Sequence, residues 1–193
     1  SKSVLEKSIR GIEIIESDSD NSVAFYTIGY GDSFNQLYIW NTGKNEPVSV
    51  DGASFGKDGS ISWIDKNYLL IDSGKDEYKI VDAENMKVSK VFSSKTDAYL
   101  IPDTSTFLIQ KSDTGIFTLY DFISLKEQEL ELNYKNEYTN FKEDTGNNQF
   151  IFTGTHYDEY GTAYSVQAVV DIQKLKEKYG VVTLEQAIEN ENN

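Results

Sequence analysis

The chain has 193 residues, of which 32 are acidic and 18 basic, and the resulting net charge of −14 argues against nucleic acid and anionic membrane as partners. It contains no cysteine, which excludes disulfides, thiolate metal sites and cysteine nucleophiles. Hydrophobic residues make up 38% of the chain and aromatic residues 13%, so we expect it to fold, and its length fits a single domain spanning residues 1–193.

The first ten residues carry few structural signals, and they suit either a frayed helical turn or a strand. A first repeat is predicted over residues 11–52, with strands at 11–18, 22–28, 36–40 and 47–50. The turn between its last two strands is expected at Asn41–Lys44, because Gly43 can take a positive φ without steric cost.

Three further repeats are predicted along the chain, over residues 53–93, 94–133 and 134–171. The clearest lies within residues 53–93, where four short runs rich in β-formers are each closed by Asp, Asn, Lys or Gly and predict a four-stranded β-meander. The last repeat lacks a fourth strand. Second strands begin at intervals of about 39 to 45 residues, close to the length of a propeller blade.

After Asp171 the pattern becomes helical and predicts a helical tail over residues 172–193. Ile172, Leu175 and Tyr179 share one helix face, and Gly180 stands where a left-handed residue ends a helix. A capping box at residues 183–186 predicts a second short helix.

The third strand of each repeat ends in an apolar or aromatic residue followed by Asp or Asn: Trp40-Asn41, Val81-Asp82, Tyr120-Asp121 and Val170-Asp171. With the polar turns before the second strands, this pattern resembles the blades of β-propellers of the WD40 and TolB-like kind over roughly residues 11–171. The resemblance implies an all-β, β-propeller-like array of four β-meander repeats, expected to form a small four-bladed ring. A β-sandwich is the alternative, since it also has evenly spaced short strands.

Closure of such a ring requires a partner for the edge of the fourth repeat. Residues 3–9 precede the first strand and are predicted to pair with residues 164–170 as the missing strand. An open array ended by the helices is the alternative.

Few residues point to chemistry. His156 is the one histidine, and we interpret it as a polar residue in the loop between the second and third strands of the last repeat, so neither histidine-based nucleophilic catalysis nor a histidine-rich metal site is expected. Asp18 and Asp20 alternate as calcium ligands do, but they lack the glycine and distal glutamate of an EF-hand, so a solvated turn is expected there. No metal or other cofactor is predicted.

Aromatic residues divide into two groups. Trp40, Trp63 and most tyrosines lie inside strand patterns, where Tyr68, Tyr78 and Tyr120 are expected to pack between sheets. Four others lie in the two longest predicted loops, residues 29–35 and 155–162, and are candidate binding residues: Tyr30, Phe34, Tyr157 and Tyr160.

These observations predict a non-catalytic recognition module that presents loops to a protein or glycan. The alternative is a carboxylate-dependent glycoside hydrolase, assisted by calcium, for which two carboxylates in one pocket would be the sign. The cysteine-free, acidic composition favours an extracellular or cell-surface location, with a lipid anchor, over a cytoplasmic one. No apolar run is long enough to insert this segment into a membrane, and the sequence leaves the oligomeric state and the ligand open.

Overall fold

The computed structural model describes residues 9–15, 22–29, 35–41 and 43–191. The chain divides into two compact units, residues 1–93 and 94–193. All of the strands in the described residues belong to four antiparallel sheets, and two short helices follow the last strand. The predicted all-β class with C-terminal helices is thus confirmed, whereas the single domain, the blade count and ring closure stay predictions.

The first unit contains two four-stranded meanders. Sheet 1 has the order β1-β2-β3-β4 and sheet 2 the order β5-β6-β7-β8. The strands are β1 (Ile9–Ile15), β2 (Ser22–Gly29), β3 (Asn35–Asn41), β4 (Val48–Phe55), β5 (Ser60–Trp63), β6 (Tyr68–Asp72), β7 (Glu77–Asp82) and β8 (Lys87–Ser93). Alternate residues of β3 and β6 are buried, and the two sheets share one apolar core that includes Leu37, Ile39, Leu69 and Ile71.

β4 differs from its prediction. It was expected to end at residue 50, but it continues to Phe55, and its pairing with β3 shifts register between Gln36 and Tyr38. Gly52 has a φ of 76°, a conformation that L side chains rarely adopt, so this glycine lets the strand continue across the irregularity.

The second unit contains sheet 3, in the order β12-β11-β10-β9, and the three-stranded sheet 4, in the order β13-β14-β15. Its strands are β9 (Tyr99–Leu100), β10 (Thr106–Gln110), β11 (Phe117–Asp121), β12 (Glu127–Glu129), β13 (Tyr138–Asp144), β14 (Gln149–Tyr157) and β15 (Ala163–Asp171). Aromatic side chains from both sheets form the core of this unit, where Phe117 and Phe152 meet edge to face with ring centroids 4.9 Å apart.

The polar residue that ends each third strand has the same structural task in all four sheets. Its side chain accepts a hydrogen bond from a backbone amide two or three residues further on, which holds the turn that follows. The four pairs are Asn41 with Gly43, Asp82 with Asn85, Asp121 with Ser124, and Asp171 with Lys174. The pattern that carries the family resemblance is therefore explained by turn formation.

Two helices follow β15 as predicted: α1 (Ile172–Tyr179) and α2 (Leu184–Glu191). Ile172 and Leu175 bury the apolar face of α1, and Gly180 ends the helix with a φ of 65°. The predicted capping box is present. The backbone amide of Gln186 donates to Oγ1 of Thr183, and Oε1 of Gln186 accepts a hydrogen bond from the backbone amide of Thr183. Neither helix is long and apolar enough to cross a membrane.

Several predictions fall outside the described residues. These are the pairing of the N-terminal segment, which rests on residues 3–8, the turn that contains Asp18 and Asp20, and two of the candidate binding residues, Tyr30 and Phe34.

Candidate binding site

The hairpin of β14 and β15 extends into the segment that was predicted to be a loop. The two strands pair continuously from Gln149 with Asp171 to Tyr157 with Ala163. His156 therefore lies within a strand, and its interpretation as a loop residue is wrong. Because side chains alternate between the faces of a strand, His156 shares a face with buried Phe150 and Phe152.

His156 belongs to a half-exposed cluster at the end of this face, which we call the aromatic site: Tyr134, Glu137, His156 and Tyr164. Nδ1 of His156 lies 2.9 Å from both carboxylate oxygens of Glu137, and both side chains are 30% exposed. The imidazole ring lies 4.7 Å from the Tyr134 ring and 6.5 Å from that of Tyr164, its cross-strand neighbour, measured between centroids. Three rings thus follow one another at the surface.

A close approach between the backbones of β13 and β14 positions Glu137 next to His156. The register between β13 and β14 shifts between Tyr138 and Asn140, and Tyr138 pairs with Gly154 across this irregularity. The carbonyl of Glu137 accepts a hydrogen bond from the Thr155 amide at 3.1 Å. Tyr138 is 2% exposed and anchors the start of β13 in the core, so Glu137 projects from a fixed backbone.

Asp158 fixes the position of Tyr164 in the aromatic site through hydrogen bonds. Its carboxylate accepts hydrogen bonds from the amides of Tyr160 and Thr162 and from the hydroxyl of Tyr164, at 2.9, 2.8 and 3.2 Å. The hydrogen bond from the Thr162 amide, helped by the others, lowers the pKa of Asp158. The turn that closes the hairpin and the phenol of Tyr164 are therefore fixed by one carboxylate.

The aromatic site exposes two tyrosine rings and one imidazole nitrogen to solvent. Tyr134 and Tyr164 are each 51% exposed, and ring faces of this kind stack on sugar rings, apolar side chains and cations. Nε2 of His156 makes no hydrogen bond within the described part of the chain and is available to a ligand. Because Glu137 occupies Nδ1, the orientation of the imidazole is set before any ligand arrives.

Two of the candidate binding residues named from the sequence are described, and both are solvent-exposed. Tyr157 is 64% exposed and Tyr160 85%. Tyr157 points to the opposite face of the hairpin from His156, because the two are consecutive in β14, and Tyr160 lies in the turn. The structure thus brings neither of them into the aromatic site, which consists of residues that the sequence did not single out as binding residues.

Of the three strand tyrosines expected to pack between sheets, two are buried, whereas Tyr68 is half-buried. Tyr78 and Tyr120 are buried, at 5% and 7% exposure, as predicted. Trp63 packs against the core of the first unit, but Trp40 is 42% exposed and its indole N–H donates to the Lys44 carbonyl. Trp40 thus lies on the outer face of sheet 1, beside the turn that follows β3.

A cavity of about 540 Å³ lies in the second unit between sheet 3 and the C-terminal helices. Two carboxylates line it, those of Asp121 and Glu191. Oδ1 of Asp121 accepts hydrogen bonds from two backbone amides of the turn that follows, and Oδ2 accepts one from the hydroxyl of Ser105, so both carboxylate oxygens are engaged. Within residues 9–15, 22–29, 35–41 and 43–191, no group of three or more His, Asp or Glu side chains is arranged to hold a metal ion.

Comparison with known proteins gives matches among solved structures alone. No family model matches the chain, and no curated protein matches it. Among solved structures, the chain is similar to an oligogalacturonate lyase in complex with manganese, with 16% sequence identity and a TM-score of 0.41. The match covers 83% of this chain and 48% of that one, so the chain spans about half the length of that protein.

Proposed function

We propose that the chain is a non-catalytic recognition module that binds a protein or glycan ligand through the aromatic site, on a β-propeller-like array of four sheets. The observation that carries this proposal is the row of rings formed by Tyr134, His156 and Tyr164. Two of these rings are half exposed, and carboxylates on both sides hold the row in place. Such preorganised aromatic side chains bind with little loss of conformational entropy.

The hydrolase alternative has less support. The carboxylate pair in the cavity includes Asp121, which accepts two hydrogen bonds from its own turn and one from the Ser105 hydroxyl, and so lacks the freedom that a proton-transfer group needs. Composition alone supports the expectation that the module works outside the cytoplasm, which remains part of the proposal.

Binding experiments test the proposal directly. The labelled protein would be applied to an array of oligosaccharides and to a display library of peptides, and ligands would be confirmed by titration. We expect Tyr134→Ala and Tyr164→Ala each to weaken binding by at least about tenfold, the loss typical of a hot-spot residue.

Tyr157→Ala and Tyr160→Ala are the matched controls, since they remove exposed tyrosines from the same hairpin but outside the aromatic site. Equal affinity in all four variants would contradict the proposal. A loss of affinity confined to Tyr157→Ala and Tyr160→Ala would show instead that these two tyrosines bind the ligand.

A further inference from the structure

The cavity between sheet 3 and the C-terminal helices has features of a second binding site, separate from the aromatic site. Its volume of about 540 Å³ lies within the range of small-molecule sites. The apolar residues that line it include Leu119 from β11, Val181 from the segment between the helices, and Ala187 from α2. These side chains offer a contact surface to an apolar body.

A hydroxyl without a hydrogen-bond partner among the described residues lines this cavity. Thr106 is 3% exposed, and no hydrogen bond is made by its hydroxyl within the described residues. The adjacent hydroxyls differ: that of Thr104 donates to the Ile101 carbonyl, and that of Ser105 donates to Asp121. Because Thr106 lines the cavity and its hydroxyl has no partner among the described residues, that hydroxyl can donate a hydrogen bond to a ligand atom.

The cavity lining also includes a lysine, Lys126, whose ammonium is unpaired among the described residues. Lys126 is exposed, and its ammonium makes no ion pair or hydrogen bond with any described residue. In a chain with a net charge of −14, a lysine without a carboxylate partner is available to an anionic ligand. One ammonium and one hydroxyl can contact a single carboxylate group. The lining carboxylates of Asp121 and Glu191 repel any anion, and they repel a dianion such as a phosphate ester more strongly than a monoanion.

We propose that this cavity binds a small monocarboxylate with an apolar body. The carboxylate accepts hydrogen bonds from Lys126 and Thr106. The apolar body packs against the walls formed by Leu119, Val181 and Ala187.

The probe for the test is 4-phenylbutyrate, with its neutral amide as the matched ligand, titrated into ¹⁵N-labelled protein and followed by NMR. We expect saturable shifts of the amides that line the cavity, with the amide ligand binding about tenfold more weakly because it lacks the charge. Lys126→Met should produce the same loss for the acid and little change for the amide. Lys174→Met, on the exposed side of α1, should change neither.

Thr106→Val removes the hydroxyl at nearly constant volume and should weaken the acid several-fold. Because Lys126 is exposed, its substitution leaves the fold intact even if the buried Thr106 variant is unstable. Absence of saturation up to millimolar probe, shifts that map outside the cavity, or equal affinity of acid and amide would each overturn the proposal. None of these results bears on ligand binding at the aromatic site.

Discussion

Gly154 lies against the backbone of Glu137 with no room for a side chain between them. A Cβ added to Gly154 would be 2.7 Å from the carbonyl carbon of Glu137 and 2.7 Å from Cα of Tyr138. Glu137 is the residue that orients His156, so the approach of these two strands sets the position of the acidic side of the aromatic site.

Gly154→Ala should lower the free energy of unfolding by about 2 kcal/mol or more, because the clash is with backbone atoms that cannot rotate away. Urea titration would measure the loss. Gly146→Ala is the control, since the nearest atom to its added Cβ is the Asp144 carboxylate at 3.5 Å, an ordinary contact. If the Gly154 and Gly146 variants were equally stable, the backbones of β13 and β14 would be able to move apart at Gly154 without loss of stability.

The contact between His156 and Glu137 should give a measurable coupling energy. A double-mutant cycle with His156→Ala and Glu137→Gln is expected to yield about 0.5 to 1 kcal/mol, as for a hydrogen bond between partly exposed side chains. Glu159→Gln, an exposed carboxylate in the neighbouring turn, is the control partner and should show no coupling to His156.

The carboxylate of Asp158 should titrate below its ordinary pKa of 3.8 in the folded protein. A depressed folded-state pKa stabilises the native hairpin above the unfolded-state value, and this stabilisation is lost as the pH falls through the folded-state value. Side-chain ¹³C shifts recorded between pH 2 and 6 would measure it. Tyr164→Phe should raise this pKa by removing one donor, whereas Tyr157→Phe should not; equal values in both variants would exclude the Tyr164 hydrogen bond.

Tyr26 should ionise at an unusually high pH. The hydrogen bond from its hydroxyl to the cross-strand carboxylate of Glu13, together with burial, raises its pKa to about 12 from an ordinary 10.0. The interaction therefore stabilises the fold below pH 10.0, and the stabilisation is lost as the pH rises through the folded-state pKa.

Ultraviolet difference titration of the wild type against Tyr26→Phe would isolate this transition. Glu13→Gln should bring the transition back toward pH 10, whereas Glu46→Gln, in an exposed turn, should leave it unchanged. A transition near pH 10 in the wild type would show that the phenol does not donate to Glu13.

The strands were predictable wherever a short apolar run rich in β-formers is closed by a turn residue. β6 and β10 begin at the predicted Tyr68 and Thr106, because local propensity and burial agree there. β14 was predicted to end at residue 153, since the sequence after it is polar and contains His156. Pairing with β15 extends it to Tyr157, a consequence of tertiary contacts that no local pattern contains.

The aromatic site was beyond prediction for a related reason. Its central contact joins residues 19 positions apart, and it depends on the register shift opposite Gly154. One signal was present: His156 lies an even number of residues from Phe150 and Phe152, which places all three on one face if the strand continues. Recognising that face would have required knowing how far the hairpin extends.

Asp171 links the last strand of sheet 4, which has three strands where the other sheets have four, to helix α1. In the other sheets the equivalent side chain holds a tight turn, and here the same kind of hydrogen bond, from the Lys174 amide at 2.8 Å, starts α1. A side chain of this kind can therefore begin either a turn or a helix. The helix also completes the core, since Ile172 and Leu175 are buried together with Phe150 and Phe152, so a foreign segment grafted at position 172 would have to replace this packing.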